Sequence, residues 1–142
     1  QYAHGNEPSH HIIYMYSLLG RQNRAAELIR QVCQEFYNTA PDGLIGNEDC
    51  GQMSAWYVFS ALGFYPVFPA DGRFVFGSPL CKKAKLHLIN GKTFKICASG
   101  NGADTPYVKE VRLNGKIINR PYITYDEIMR GGVLEYIMSS ER

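Results

Sequence analysis

Two short polar segments hold most of the side chains in this sequence that could take part in chemistry. The first polar segment is residues 4–11 (HGNEPSHH), and the second, the acidic loop, is residues 46–51 (GNEDCG). Each lies directly ahead of an apolar run. Carboxylates, amides and imidazoles at such positions suit either metal binding or acid/base work on a polar substrate. Together the two segments predict an enzyme site, and the rest of the chain is predicted to be its scaffold.

The acidic loop has two adjacent carboxylates, Glu48 and Asp49, before a helix predicted to begin near Gln52. One interpretation is that they cap that helix and complement its dipole, as acidic residues at helix starts commonly do. The other is a functional site, because Gly46 and Gly51 let the backbone approach a ligand closely. A buried helix also carries its first residues toward the interior, where an uncompensated carboxylate is costly. The functional interpretation is favoured.

The first polar segment offers two kinds of site. His4, Glu7, His10 and His11 are residue types that bind zinc. However, successive residues of a helix point about 100° apart, and the HExxH spacing of helical zinc sites is absent. A hydroxyl-rich substrate that hydrogen-bonds to Asn6 and Glu7 fits better, with one histidine organising the loop. The alternative, a helix start whose polar groups are satisfied internally, stays open.

The first half of the chain has helical periodicity. Ser9 is predicted to cap a helix whose apolar positions extend to Leu19. A second helix repeats apolar residues at helical spacing over residues 25–37, and the short connection between the two predicts an αα-hairpin. The third helix, residues 52–62, is apolar on nearly every side and is predicted to be buried inside a larger helical assembly. Its Trp56 is predicted to be a core residue.

The second half has the pattern of strands. Two prolines, Pro66 and Pro69, are predicted to mark a linker, with β structure following it. Two Asn-Gly dipeptides, at residues 90–91 and 114–115, each separate two strand-like runs, as in hairpins with two-residue turns. Residues 133–138 form a final predicted strand. The predicted fold class is therefore α+β, with helices first and then a small antiparallel β-sandwich or sheet region.

Composition restricts the class of protein. The 142 residues are 45% hydrophobic and 13% aromatic, which is ample for a folded core and argues against disorder. A net charge of +2, with the basic residues scattered, gives no basis for nucleic-acid binding. No apolar run is long enough to span a bilayer. The chain opens on motif-dense sequence without an initiator methionine, so it is predicted to be part of a longer protein.

Both polar segments, taken with the residues around them, resemble a known family. Residues 5–11 (GNEPSHH) and 46–66 (GNEDCGQMSAWYVFSALGFYP) are similar to the C-terminal part of glycoside hydrolase family 92, with further matches at residues 76–79, 87–92 and 130–134. Its members are calcium-dependent, inverting exo-α-mannosidases, mostly bacterial and exported. The family fold is an N-terminal β-sandwich followed by an (α/α)6 barrel. The resemblance implies that residues 1–66 are the closing helices of that barrel and residues 67–142 a C-terminal β-rich region.

The resemblance also implies roles for the acidic loop. An inverting glycosidase uses one acid and one base on opposite faces of the sugar, about 6.5–9.5 Å apart, so that a water molecule fits between. Asp49 is the implied base, with Glu48 and Asn47 beside it as further members of the catalytic loop. Ca²⁺ is the implied cofactor, with Asp49 at the metal, because this ion prefers carboxylate, carbonyl and water oxygens.

The implied substrate-binding residues are Asn6, Glu7, His10 and Asn47. Members of the family selective for α-1,2 linkages tend to have His-Glu-Pro at the leaving-group subsite. This chain has Asn6-Glu7-Pro8 there. The resemblance therefore implies an enzyme related to the α-1,2-mannosidases, with a preference for another linkage.

Several parts of the family's enzyme have no counterpart in this sequence. The general acid, the N-terminal β-sandwich and most of the barrel match positions upstream of Gln1. The expected partners are therefore a mannose-containing glycan and the remainder of the enzyme, and the chain alone is expected to be inactive. The alternatives are a non-catalytic carbohydrate-binding or accessory module, and a helical hydrolase of another specificity such as a glucosidase or phosphorylase. A periplasmic or secreted location is implied by the resemblance.

Overall fold

The computed structural model describes residues 2–142. Three α-helices precede the first strand, as predicted, but a short fourth helix that was not predicted lies between the last two strands. Its helices are α1 (Ile12–Leu18), α2 (Gln22–Phe36), α3 (Gln52–Leu62) and α4 (Tyr125–Met129). Its strands are β1 (Phe64–Phe68), β2 (Arg73–Phe76), β3 (Lys83–His87), β4 (Thr93–Ser99), β5 (Tyr107–Leu113), β6 (Lys116–Ile117), β7 (Tyr122–Thr124) and β8 (Gly132–Ser139). Short 3₁₀ turns occupy Glu7–Ser9 and Pro69–Asp71. The α+β class is confirmed, and membership of the helices in a barrel stays a prediction.

The helices follow the apolar periodicity of the sequence. One side of α2 is buried and carries Ala25, Ala26, Ile29, Val32 and Cys33. This side packs in one core with Ile13 and Tyr14 of α1. Helix α3 begins and ends at the predicted residues, and its Trp56 is fully buried as predicted. Burial of α3 on most sides is not observed within this chain, because Tyr57 and Val58 are 37% and 56% exposed.

Two sheets follow the helices. Strands β1, β2 and β7 form an antiparallel sheet, and the second sheet has the strand order β3-β4-β8-β5-β6. The prediction of a wholly antiparallel region is wrong at one place, because β4 and β8 pair in parallel from Phe94↔Gly132 to Ser99↔Ile137. The cause is the long connection through β5 and α4, which returns the chain to the end of the sheet where β4 begins.

The two Asn-Gly dipeptides form turns of different kinds. At residues 114–115 both φ angles are positive, 50° and 79°, as a two-residue type I′ hairpin requires. At residues 90–91 only the glycine is left-handed, with a φ of 79°. There the Leu88 N–H donates to the Lys92 carbonyl at 2.9 Å, so three residues lie between the closing pair. The first hairpin loop is therefore one residue longer than predicted.

Two local predictions are wrong. Ser9 does not cap α1, because the 3₁₀ turn places it two residues ahead of the N-cap position, which His11 occupies. The Ser9 hydroxyl donates instead to two backbone carbonyls ahead of it. Pro66 does not lie in a linker, because β1 runs through it and pairs with β2. The predicted boundary between residues 66 and 67 therefore falls inside a strand.

Gly63 connects the helical core to the core between the sheets. Its φ of 97° ends α3. Its carbonyl accepts hydrogen bonds from the Tyr136 hydroxyl at 2.9 Å and from the Gly77 N–H at 2.8 Å. A Cβ on Gly63 would lie 2.9 Å from the Tyr136 ring and 3.0 Å from Pro79. The last strand of the sequence is thus packed against the end of the helix that follows the acidic loop.

Candidate functional site

The acidic loop has an unusual backbone conformation. Asp49, Cys50 and Gly51 have φ angles of 40°, 60° and 83°, so three successive residues lie in the left-handed region. Only glycine adopts this region freely, and each other residue there costs on the order of 1 kcal/mol. Such strain persists where surrounding contacts impose it, and it is concentrated at functional sites. The loop ends at Gly51, which is the N-cap residue of α3.

The carboxylate of Glu48 caps α3. It accepts hydrogen bonds from the backbone N–H and from the hydroxyl of Ser54, both at 2.9 Å. Ser54 is the third residue of the helix, where N–H groups have no partner within the helix itself. The negative charge also lies at the positive end of the helix dipole. The capping interpretation therefore applies to Glu48, and its catalytic role stays a prediction.

The acidic loop lies against the first polar segment. A Cβ built on Gly46 would lie 3.3 Å from the carbonyl oxygen of Gly5, so a glycine is what lets the two backbones approach this closely. Asn6 follows one of these glycines and Asn47 follows the other, and both side chains are exposed, as is that of Asp49. The structure therefore brings the backbones of the two segments together at Gly5 and Gly46, and three predicted residues close to this contact in sequence are exposed.

The remaining predicted residues are less accessible. Glu7 is half-buried, and His10 is 1% exposed. The Nε2–H of His10 donates to the His4 carbonyl at 2.9 Å, and its Nδ1 accepts from the Gln52 amide at 3.1 Å. Burial lowers the pKa of His10, which agrees with this neutral, doubly hydrogen-bonded ring. The geometry fits the loop-organising histidine expected in this segment, while contact between His10 and substrate stays a prediction.

His4 is a second buried histidine at this site, and its residue type alone had indicated only a possible metal ligand. Its Nδ1 lies 2.6 Å from the Tyr2 hydroxyl and its Nε2 lies 2.6 Å from the Tyr37 hydroxyl. Its ring stacks on that of His10 with centroids 4.6 Å apart. Burial, reinforced by His10, lowers the pKa of His4 to about 3, so the ring is neutral near pH 7. Its bond to Tyr37 spans 33 residues, so no local pattern could have revealed it.

Oxygen atoms are among the exposed metal-binding groups near this contact. Within residues 2–142 no three His, Cys, Asp or Glu side chains form a group able to hold a metal ion. The ring nitrogens of His4 and His10 are already hydrogen-bonded, which counts against the zinc interpretation. The Asp49 carboxylate and the amide oxygens of Asn6 and Asn47 are of the type that calcium prefers. They fit this ion in donor chemistry, and further ligands would have to complete its coordination.

A groove of about 440 Å³ opens beside the capped end of α3. It is lined by side chains of α3 and of residues 37–44, Ser54 among them. Ser54 links this groove to Glu48, but none of the predicted site residues lines it. Of the predicted site residues, Asn6, Asn47 and Asp49 are exposed outside this groove.

The class of protein follows from a comparison with known families. The family described as "Glycosyl hydrolase family 92 catalytic domain" matches residues 1–140. Together with the fold, this match defines a segment of a glycoside hydrolase catalytic domain. The chain belongs to glycoside hydrolase family 92.

Two solved structures of high similarity are mannosidases of this family from Bacteroides thetaiotaomicron. One is an α-mannosidase in complex with mannoimidazole, 42% identical with a TM-score of 0.94, which matches 99% of this chain and 18% of its own. The other is an inverting mannosidase, 47% identical with a TM-score of 0.90, with 98% of this chain and 19% of its own length matched. This chain therefore spans less than a fifth of either enzyme.

A curated relative is described as an uncharacterized secreted glycosidase of Arthroderma benhamiae. It is 27% identical over an alignment of 140 positions that covers 96% of this chain and 18% of the relative. Among the helices of residues 2–142, none has the length and apolar character needed to cross a membrane.

Proposed function

We propose that this chain supplies part of the active site of a calcium-dependent, inverting exo-α-mannosidase that acts on mannose-containing glycans. The observation that carries this proposal is the contact between the acidic loop and the first polar segment at Gly5 and Gly46. The Asp49 carboxylate and the amide side chains of Asn6 and Asn47, which are suited to sugar hydroxyls, are all exposed near this contact, and this supports the proposal. The inverting mannosidase and the mannoimidazole-bound α-mannosidase among the similar structures support the reaction class.

Asp49 acts as the base in this proposal. The Glu48 carboxylate already accepts two hydrogen bonds from Ser54. The Asp49 carboxylate, in contrast, makes no hydrogen bond or ion pair among residues 2–142. It accepts a proton from a water molecule as the water oxygen forms a bond to the anomeric carbon. The bond to the leaving oxygen breaks on the opposite face, where an acid about 6.5–9.5 Å away donates a proton. That acid is supplied by residues outside this chain.

Substrate recognition rests on the polar groups around Asp49. The side chains of Asn6, Glu7 and Asn47 can each hydrogen-bond sugar hydroxyls, as donors, acceptors or both. His10 stabilises the first polar segment through its Nε2–H bond to the His4 carbonyl, and its Nδ1 accepts from Gln52 of α3. These contacts orient the sugar so that its anomeric carbon faces the water held by Asp49.

Calcium is proposed to bind beside Asp49, with amide and backbone oxygens of the two polar segments as further ligands. When bound, such an ion would supply a hard positive charge that can bind sugar hydroxyls and favour the distorted ring of an oxocarbenium-like transition state. The secreted relative supports an extracellular or periplasmic location for the enzyme. Because the acid lies elsewhere, the chain by itself is not expected to hydrolyse mannosides.

The decisive test replaces Asp49 by asparagine in the complete enzyme that contains this chain. The variant Asp49→Asn keeps the size of the side chain but cannot accept the proton, so kcat should fall about 10²–10⁴-fold with an aryl α-mannoside in calcium. The matched control is Asp42→Asn, which changes another exposed aspartate in the turn before the acidic loop. Undiminished turnover in Asp49→Asn would refute the assignment of the base.

The isolated chain separates this proposal from an accessory module. Purified residues 1–142 are expected to show neither turnover of the aryl mannoside nor calorimetric binding of mannose in the presence of calcium. Binding of mannose by the isolated chain would favour a carbohydrate-binding module instead. Robust turnover would contradict the placement of the acid outside the chain.

A further inference from the structure

The first residue of α3 is bonded both to the acidic loop and to the buried histidines. The Gln52 backbone N–H donates to the Asp49 carbonyl at 3.2 Å. Its side-chain amide donates to His10 Nδ1 at 3.1 Å and to the Tyr65 hydroxyl at 3.0 Å. Gln52 therefore ties the carbonyl of the proposed base to the first polar segment and to β1.

The second residue of α3 makes a parallel connection. The Met53 N–H donates to the Glu48 carbonyl at 3.4 Å, and the Met53 carbonyl accepts from the Tyr37 hydroxyl at 3.1 Å. Because the Tyr37 hydroxyl donates its proton to Met53, it accepts the 2.6 Å bond from His4 Nε2–H. His4 Nδ1 then accepts from the Tyr2 hydroxyl. In this series of hydrogen bonds, the direction of each bond therefore follows from the bond next to it.

The two connections join at the histidines. His10 Nε2–H donates to the His4 carbonyl, the two rings stack, and the Trp56 indole N–H donates to the His10 carbonyl at 3.1 Å. All three of these residues are buried. We call His4, His10, Tyr37 and Gln52 the histidine network. Its hydrogen bonds join the first polar segment to α3, and each of its four side chains is buried or half-buried.

We infer that the histidine network positions the Asp49 carboxylate against the first polar segment, and that Tyr37 and Gln52 are positioning residues of the proposed mannosidase. The inference rests on the proposed function, because it assigns these residues to the same site. The carbonyls of Asp49 and Glu48 are bonded to α3 at the very residues that the network holds. A shift of the network therefore moves the loop.

This placement matters for rate more than for binding. A base must lie within hydrogen-bond reach of the attacking water, and an error of about 1 Å costs on the order of 10²-fold in rate. Sugar hydroxyls bound by several amide groups tolerate such a shift better. Loss of a network bond should therefore lower kcat and leave KM nearly unchanged, which loss of general stability would not do.

The test uses Tyr37→Phe in the complete enzyme, with Tyr14→Phe as the matched control. Each variant removes one hydrogen-bonded hydroxyl, but the Tyr14 hydroxyl is bonded to Ser60 rather than to a residue of either polar segment or of the histidine network. In Tyr37→Phe we expect kcat to fall about tenfold, by analogy with small misplacements of catalytic groups, and KM to change less than about threefold. Tyr14→Phe should lower the melting temperature by a comparable amount and keep kcat within about twofold. Equal kcat in the two variants would overturn the inference.

A double-mutant cycle distinguishes the inference from the proposed function. In the background Asp49→Asn, Tyr37→Phe should have no further effect on the residual kcat, because the network acts through that carboxylate. Suppose that Asp49→Asn has a lowered kcat. The inference alone then fails if Tyr37→Phe has the same kcat as Tyr14→Phe, and it also fails if Tyr37→Phe lowers kcat by its full factor in the Asp49→Asn background. If Asp49→Asn retains full turnover, the proposed function fails and the inference with it.

A second variant covers the case in which Tyr37→Phe does not fold. Gln52→Leu removes the amide bonds to His10 and Tyr65 at a half-buried position but keeps the backbone bond to Asp49. It should reproduce the loss of kcat, and Gln52→Glu, which cannot donate to Nδ1 when ionised, should not restore it. Wild-type kcat in Gln52→Leu would overturn the inference independently.

Discussion

Glu48 and Asp49 are adjacent, yet their carboxylates have different surroundings. Glu48 is held by two hydrogen bonds from Ser54 at the start of α3. Asp49, with a φ of 40°, turns the chain into the left-handed region, and its exposed carboxylate has no such partner among residues 2–142. One acid of the pair therefore accepts hydrogen bonds from the first turn of the helix and stabilises the loop. The other stays free to accept a proton in a reaction.

The neutral state of His4 predicts how stability depends on pH. Its pKa is lowered from 6.5 to about 3 in the folded protein, so below pH 6.5 the unfolded chain binds a proton that the folded chain does not. The free energy of unfolding should therefore fall as the pH falls from about 6.5 toward 3. At pH 5 this one residue accounts for a loss of about 2 kcal/mol. Urea denaturation at a series of pH values measures the effect.

Two histidine variants assign this pH dependence. His4→Gln should reduce the slope between pH 6.5 and 5 without abolishing it, because one of the two buried histidines with a lowered pKa is gone and His10 remains. His87→Gln, at an exposed position of β3, should leave the slope as it is. An unchanged slope in His4→Gln would show that other groups account for it.

At the residue scale, the sequence predicted those features of the site that depend on residues close together along the chain. The acidic loop and the first polar segment stand out because carboxylates, glycines and amides occur together in a few positions. The roles of His4, Tyr37 and Gln52 depend on contacts across 33 and 42 residues. Such pairs form only when α2 and α3 pack on the first polar segment, so residue types and spacing carry no sign of them.

At the element scale, the end of α3 sets the relation between helices and sheets. Gly63 accepts the Tyr136 hydroxyl bond from β8 and leaves no room for a side chain. Gly20, just beyond α1, has a similar φ of 72°, but a Cβ added there would meet no atom within 4 Å. The two glycines therefore separate the cost of backbone strain from the cost of steric overlap.

Alanine at these two glycines should have unequal effects. Gly20→Ala introduces only left-handed strain and should lower the free energy of unfolding by about 1 kcal/mol. Gly63→Ala adds overlap with Tyr136 and Pro79 and should cost about 1–3 kcal/mol more. Urea denaturation of the two variants tests this, and equal losses would contradict the packing assigned to Gly63.

The predictable elements were those with strong local signals. The bounds of α3 follow from its apolar run between two glycines, and the hairpin at residues 114–115 follows from Asn-Gly chemistry. Strand β1 was missed because its proline suggested a linker, although Pro66 is tolerated beside β2 between paired positions. The parallel pairing of β4 with β8 depends on the path of the whole chain, which neighbouring residues do not encode.

At the scale of the whole molecule, the helical side has an apolar surface that this chain leaves uncovered. Six large apolar side chains on or next to α1 and α3 are 37–74% exposed, namely Ile12, Met15, Tyr16, Leu19, Tyr57 and Val58. Apolar surface of this kind usually marks contact with another protein surface. The short span of this chain relative to the two mannosidases agrees with contact to further parts of a larger enzyme.

The exposed apolar surface predicts self-association of the isolated chain. The double variant Leu19→Lys/Val58→Lys should reduce it, because charges replace the two most exposed of the six apolar side chains. Ile89→Lys is the control, since Ile89 is 95% exposed but lies in the β3–β4 hairpin loop, away from the helices. Sedimentation velocity should show less oligomer for the double variant and no change for the control. The reverse result would place the associating surface on the sheets.

The central place of β8 has a consequence for biosynthesis. Strand β8 comes last in the sequence, yet it fills the middle of the five-stranded sheet between β4 and β5. As the polypeptide leaves the ribosome, β4 and β5 emerge before β8, so the edges that β8 will pair with stay unpaired. Unpaired strand edges favour pairing with other chains and slow folding. A message truncated before the codon for Gly132 would therefore yield an aggregation-prone product for chaperones and proteases to clear, rather than a smaller stable domain.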